Sequence, residues 1–458
     1  MRTPTHTARN ESAIPIEPIT RAQLPAWLAA HPDSRDWIST LGFKAEPGSH
    51  AFLPDRKPSR ARVLAAPTEG ESVWAFAGLP MALPEGTYRL ETKGDAQAQT
   101  DIALGWALGS YEFSRYRKPR RAPAKLAWPA KADRAEVERV VSSVGLARDL
   151  INTPCEDMGP EHLADAATTL ANEFGAKVTT IVGDELLRKD YPTIHIVGRA
   201  AARAPRLVDI RWGKPDAPRV TLVGKGVCFD TGGLDLKPRE GMLDMKKDMG
   251  GAAVMLGLAR ALMSANVPIR LRVLIPAVEN SVSANAYRPL DIVRTRAGKT
   301  VEIGNTDAEG RLILCDALAE ADREEPELLI DAATLTGAAK IALGPEVQAL
   351  FCDDDEVARG LIDAGAAVGD PLWRLPIWRP YRKLIDGKCA DLNNVAPNGF
   401  AGSIIGALYL AEFVSKAKAW VHLDIMASNT STRPGRPEGG EATGMRALYA
   451  YIRERYAR

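Results

Sequence analysis

The sequence predicts an α/β protein: a mostly parallel sheet covered by helices in a larger C-terminal domain, plus a smaller N-terminal α/β domain. Three observations lead there. From about residue 135 onward strand-like and helix-like runs alternate, the order expected when helices cross over between parallel strands. The run at 220–223 (VTLV) is apolar nearly throughout, as for a strand covered on both faces. The chain has 458 residues, enough for more than one core. Its expected division is an N-terminal domain at 1–118, a linker at 119–134 and a catalytic domain at 135–458.

In chain order, residues 22–30 carry helical spacing, while 73–79 (VWAFAGL) and 88–92 (YRLET) are strand-like. This first domain shows no chemistry and is expected to serve packing or assembly. Residues 115–134 (RYRKPRRAPAKLAWPAKADR) are basic and hold Pro119, Pro123 and Pro129, the composition of a solvated linker. A long helix is predicted over 135–150, ending before Asn152-Thr153-Pro154. Pro160 then opens another helix over 161–173, since proline is tolerated in a first turn. Strands follow at 220–223, 269–275 (IRLRVLI), 328–330 and 420–424 (WVHLD). Helices are expected at 252–262 and 404–414, and a last one at 445–456 closes the domain.

Hydrophobic residues at 45% and charged residues at 26% are the balance of an ordinary globular chain. A net charge of +1 supplies no general attraction for a polyanion, so nucleic acid is not an expected partner. The five cysteines show no paired spacing and are odd in number, which points to free thiols in a reducing compartment. The N-terminus lacks the apolar segment of a secretory leader, and no run is long enough to span a bilayer. A cytoplasmic protein without a membrane partner is expected. Six scattered histidines mean that a metal site here would draw on carboxylates.

The densest chemistry lies at 305–318 (NTDAEGRLILCDAL), between a strand end at 300–303 (TVEI) and a helical run. Asp307 or Glu309 alone would read as a helix cap. Arg311 fits that account poorly, because a cation in the first turn opposes the helix dipole and calls for an anion. Upstream, 224–238 (GKGVCFDTGGLDLKP) presents Lys225, Asp230 and Lys237 among glycines. It has neither Walker nor GxGxxG spacing, which argues against a nucleotide loop. Asp248, in 245–257 (MKKDMGGAAVMLG), would again read alone as a cap. Together, Asp230, Asp248, Asp307 and Glu309 all stand at strand-to-helix connections, the edge where open sheets bind ligands. Such carboxylates repel one another and require cations. Oxygen ligands suit Mg²⁺, Mn²⁺ or Zn²⁺, and shared carboxylates permit two ions about 3.5 Å apart. Lys225 is open to two readings, a neutral amine ligand or a salt-bridging ammonium. Lys237 is either an oxyanion stabiliser or a solvated charge.

These strings resemble the blocks of the leucyl aminopeptidase family, the M17 metallopeptidases of cytosolic leucine aminopeptidase and bacterial aminopeptidase A type. The stretch 305–318 looks like the family signature in full. The stretches 224–238, 245–253 (MKKDMGGAA), 331–338 (DAATLTGA) and 420–425 (WVHLDI) are similar to other family blocks in the same order. So is 147–164 (ARDLINTPCEDMGPEHLA), which looks like the start of the family's catalytic half. The resemblance covers about residues 135–458 and does not reach the N-terminal domain. It implies one metal ion held by Lys225, Asp230, Asp248 and Glu309. It implies a second held by Asp230, Asp307, the Asp307 carbonyl and Glu309. Lys237 and Arg311 would be the catalytic pair, with bicarbonate at Arg311. Met245, Thr334 and Gly337 would line the side-chain pocket, the Leu335 backbone would bind substrate, and the assembly would be a homohexamer. Thr231 stands where serine is common and 192–211 looks trimmed, which leaves the pocket's outer rim and its side-chain preference open.

The expected activity is two-metal hydrolysis of the N-terminal residue from peptides with a free α-amine. The ions, Mn²⁺ or Zn²⁺ with Mg²⁺ as a further candidate, would activate water, and Lys237 would stabilise the oxyanion. Two alternatives stand beside it: a metal-dependent phosphoester hydrolase, and a DNA-binding accessory role for the basic stretch.

Overall fold

The computed structural model describes residues 5–8, 12–55, 61–68, 72–92 and 94–456. Residues 1–4 and 9–11, part of the N-terminal stretch read for a leader, lie outside them. Two compact units are present, Met1–Ser142 with Ser431–Glu438, and Ser143–Thr430 with Gly439–Arg458.

The first unit is built on a six-stranded sheet in the order His6–Thr7, Lys125–Ala127, Thr87–Leu90, Ile14–Pro18, Arg62–Ala65, His50–Leu53. All neighbours are parallel except the last pair. Ile16, Val63, Tyr88, Trp106 and Leu126 meet in one core. Helix Ala96–Gly109 begins at Asp95, whose carboxylate accepts from Ala98 N, a regular N-cap. Two expectations are corrected here. The stretch 73–79 is not a strand: it holds a 3-10 turn, Ser72–Trp74, and runs into helix Leu79–Ala82. Its apolar character comes from packing on helix Ala96–Gly109, so tightly that a methyl group at Gly105 would lie 1.7 Å from Val73 O. The stretch 119–134 is not all linker, because Lys125–Ala127 is a sheet strand with Leu126 fully buried. Residues 431–438 complete this unit, with the Arg436 guanidinium 4.6 Å from the Trp74 ring centre.

The second unit carries a nine-stranded mixed sheet. Its order is Leu372–Arg374, Gln348–Phe351, Trp420–Asp424, Leu328–Ala333, Arg219–Gly224, Arg270–Asn280, Arg206–Trp212, Lys177–Val182, with Gly226–Asp230 also on Arg270–Asn280. Its four central strands, from Trp420–Asp424 to Arg270–Asn280, are mutually parallel. Antiparallel strands flank them. Helices Arg134–Asn152 (whose first residues fall in the other unit), Pro160–Glu173, Gly250–Ser264, Gly402–Ala411 and Met445–Tyr456 occur close to where the sequence predicts them. Helix Gly250–Ser264 approaches the sheet backbone to backbone, since a methyl group at Gly251 would lie 2.1 Å from Ala332 O. One geometric expectation fails. The strand Thr300–Glu302 ahead of Asp307 lies in a separate three-stranded sheet with Ile292–Arg294 and Leu392–Asn393, not in the main sheet. Among the described residues no helix is long and apolar enough to cross a membrane.

Candidate metal centre and active site

The site begins where strand Arg219–Gly224 ends. Lys225 N donates to Ala332 O at 3.0 Å, and Lys225 O accepts from Ala252 N at 2.8 Å, so this residue is pinned between the neighbouring strand and the covering helix. The chain continues into Gly226–Asp230, which pairs with Arg270–Asn280 and sets Asp230 opposite Asn280. Asp230 Oδ1 accepts from Asn280 Nδ2 at 2.8 Å and from Gly232 N at 2.9 Å. Gly232 has φ +89, a backbone conformation that costs glycine little. This turn is tied to the acidic loop: Thr306 Oγ1 donates to Gly232 O at 2.7 Å, and Asn280 Nδ2 donates to Thr306 O at 3.1 Å. Through those bonds Asp307 and Glu309 reach Asp230 although their strand belongs to another sheet.

Two lysines lie among the four carboxylates. Lys225 Nζ sits 2.9 and 2.8 Å from the two Asp248 oxygens, 2.8 Å from Glu309 Oε1 and 2.8 Å from Thr334 O. Lys237 Nζ is 2.8 Å from Asp230 Oδ2 and 2.5 Å from Asp307 Oδ1. One carboxylate oxygen from each of Asp230, Asp307 and Glu309 falls within 4.8 Å of the others. Burial raises Glu309 and Asp307 above the usual carboxylate range, and the negative charge of Asp230 adds to it. Burial also raises Asp248, outweighing Lys225 beside it. At Lys225 burial opposes the charge, yet Asp248, Glu309 and Asp230 outweigh it and hold the amine above its ordinary value. Four acids against two lysines leave a surplus of negative charge. The donor set, hard oxygens with one amine nitrogen, fits divalent cations.

The capping readings do not hold. Helix Glu309–Asp322 has Ala308 at its N-cap and helix Gly250–Ser264 has Met249, neither with a side-chain cap hydrogen bond. Asp248 instead lies on the 3-10 helix Met245–Met249, and its Oδ1 accepts from Thr334 Oγ1 at 2.7 Å. Arg311 is buried. Its Nη1 donates to Asn394 O at 2.6 Å, its Nε has no hydrogen-bond partner, and no ion pair for it is found among the described residues. Burial pulls its pKa below the ordinary value. A buried guanidinium with a free N–H is suited to a small anion.

Of the pocket residues, Thr334 joins the cluster directly, and Met245 opens the 3-10 helix that carries Asp248. Gly337 starts helix Gly337–Leu343 and is exposed. Leu335 N donates to Asp424 Oδ1 at 3.1 Å. Four supporting residues had no signal as site residues in the sequence. Asn280 and Thr306 tie the two loops together, Asn394 holds Arg311, and Asp424 accepts from Leu335 N, Thr336 N, Thr336 Oγ1 and Ser403 Oγ. The only hint was position: Asn280 and Asp424 are polar residues closing apolar strands.

Comparison with known proteins gives one consistent picture. Residues 145–449 match the catalytic domain of the cytosol aminopeptidase family, and 14–129 match the M17 aminopeptidase N-terminal domain. A probable cytosol aminopeptidase of Syntrophotalea carbinolica is 41% identical over 370 residues, covering 77% of this chain and 74% of that protein. The crystal structure of the cytosol aminopeptidase of Coxiella burnetii is similar at 48% identity and TM-score 0.94, over 98% of both chains. The bottromycin maturation enzyme BotP, solved in complex with Mn, is similar at 32% identity and TM-score 0.87, covering 97% of this chain and 100% of that one. The N-terminal match corrects the expectation that the likeness stops near residue 135. It extends into the first unit, whose sequence signals are its packing rather than any chemistry.

Proposed function

The chain belongs to the M17 cytosol aminopeptidase family, and from that premise we propose that it removes the N-terminal residue from peptides using a pair of divalent ions. Lys225, Asp230, Asp248 and Glu309 would hold one ion; Asp230, Asp307 with its carbonyl, and Glu309 would hold the other. The single observation that carries this is the gathering of four carboxylates and two lysines at one place, with oxygens of Asp230, Asp307 and Glu309 within 4.8 Å. Mn²⁺ or Zn²⁺ suits these ligands, and the manganese complex of BotP supports the first. When bound, such a pair brings the pKa of water towards neutrality and polarises the scissile carbonyl.

The chain's own groups do the rest. Lys237, half-buried at the edge of the cluster, donates to the developing oxyanion. Arg311, with its Nε–H unpartnered, would hold bicarbonate, which would supply a proton acceptor for the reaction. Leu335 has its N–H committed to Asp424, so its carbonyl is the part of its backbone that would bind the substrate. Met245, Thr334 and Gly337 border the substrate side chain. The enzyme is leucyl-type in its chemistry. A cytoplasmic setting, supported by five unpaired cysteines, and a hexamer, checked by its mass in solution, belong to the same proposal.

Glu309→Ala tests the centre. Leucine p-nitroanilide hydrolysis with added Mn²⁺ should fall by at least about a hundredfold, in line with the loss of a group that supports transition-state charge, while p-nitrophenyl phosphate stays uncleaved by parent and variant. A folded variant as fast as the parent would show that Glu309 holds no metal the reaction needs.

A further inference from the structure

Two lysines near the residues assigned to the side-chain pocket, Lys247 and Lys340, make no ion pair among the described residues, unlike several other cations of this unit. Lys225, Lys237, Arg272 and Arg296 each reach a carboxylate at 2.8 Å or less. Lys247, two residues past Met245, is half-buried. It donates from Nζ to Met426 O at 3.1 Å and makes no ion pair among the described residues. Its neighbour Lys246 turns away to Asn152 O at 2.9 Å. The residue after that carbonyl, Ala427, lies close to Thr334: a methyl group at Gly250 would lie 2.2 Å from Ala427 Cβ and 3.4 Å from Thr334 Cγ2.

The charges that act on Lys247 are Asp248, Asp244, Lys340 and Lys225. Asp248 is taken by Lys225 and Thr334. Asp244 accepts from Ser428 Oγ at 3.4 Å and forms no ion pair with Lys247. Lys340, exposed three residues past Gly337 on helix Gly337–Leu343, also makes no ion pair among the described residues. An ammonium carries three donors, and Lys247 uses one. Holding such a group away from water without a counter-charge is costly, and an anion supplied by a ligand offsets that cost through charge-assisted hydrogen bonds.

We propose that Lys247, supported by Lys340, makes this pocket selective for an acidic N-terminal side chain, aspartate or glutamate, over a neutral one of the same shape. The proposal rests on the aminopeptidase reading and adds a substrate class to it.

The test compares glutamyl, glutaminyl and leucyl p-nitroanilides on the full Mn²⁺-loaded chain, since glutamate and glutamine differ in charge but hardly in shape. In the parent, kcat/KM should favour glutamyl over glutaminyl by about tenfold, the usual worth of a hydrogen bond to a charged group. Lys247→Met should abolish that ratio, mainly through KM, and Lys340→Ala should reduce it in part. Should Lys247→Met not fold, Lys340→Ala and added KCl carry the test, since salt screens an attraction between charges and must lower the ratio. A parent that treats the two substrates alike, or a ratio indifferent to both substitutions and to salt, overturns the proposal. Leucyl turnover without acidic preference defeats it alone, whereas no turnover of any of the three defeats the aminopeptidase reading as well.

Discussion

At Lys225 the amine touches both oxygens of Asp248, Glu309 Oε1 and Thr334 O, all at 2.8 to 2.9 Å; without a metal ion these neighbours hold it as an ammonium, and it would have to give up that proton to act as a ligand. The sequence left open whether it is a neutral ligand or a charged partner, because the answer depends on residues 23 to 109 positions away. Glu309 and Asp307 are raised by burial and by Asp230, so protons reside in the cluster near neutral pH. A divalent ion has to expel them. Mn²⁺ titrations of the metal-stripped protein in two buffers of different ionisation enthalpy should therefore show proton release, with affinity rising from pH 6 to 8. Heats that do not depend on the buffer would mean that the ligands are already deprotonated. Asp307 and Glu309 could be read from sequence because they stand one residue apart in a long signature. Asn280, Asn394 and Asp424 could not, since strand register and loop closure alone make ordinary polar residues into supports.

Strands Leu328–Ala333 and Trp420–Asp424 pair in parallel with Asp331 opposite His422. His422 Nδ1 lies 2.6 Å from Asp331 Oδ1, and Trp420 Nε1 donates to Asp331 Oδ2 at 2.7 Å. Burial works against a charged imidazole, yet Asp331 outweighs it and raises the His422 pKa. The stabilising contribution of a raised group is complete below the unfolded value of about 6.5 and is lost as pH rises through the folded value. In metal-free protein, the stability advantage of the parent over His422→Gln should be largest at acid pH and shrink as pH rises above about 6.5. Urea unfolding at several pH values measures it, and parallel curves would show that His422 holds no proton there. At this scale the central strands were legible because burial on both faces leaves an apolar run. Lys177–Val182 was not, since its side chains are all exposed or only partly covered. The misreading at 73–79 has a related cause: a short apolar run is equally that of a buried strand and of a turn packed on a helix, and here Val73, Trp74, Phe76 and Ala77 are all buried.

For the whole chain, composition and the alternation of elements revealed two α/β bodies, but not that the smaller one borrows residues 431–438 from near the far end of the sequence. No periodicity marks that loan; it depends on Gly435, at φ +73, lying where a side chain would strike the Trp74 ring at 2.4 Å. A chain of residues 143–458 alone should be cut by protease within 431–438, a segment protected in the full protein because its packing partner is present. Equal protection in both would mean that the hairpin holds its shape unaided. The arrangement also sets an order of events at the ribosome. Domains commonly fold as they emerge, N-terminal first, yet here the first unit waits for residues 431–438, which are made only after all of 143–430. Trp74 and its surroundings remain unfinished while that whole intervening stretch is synthesised.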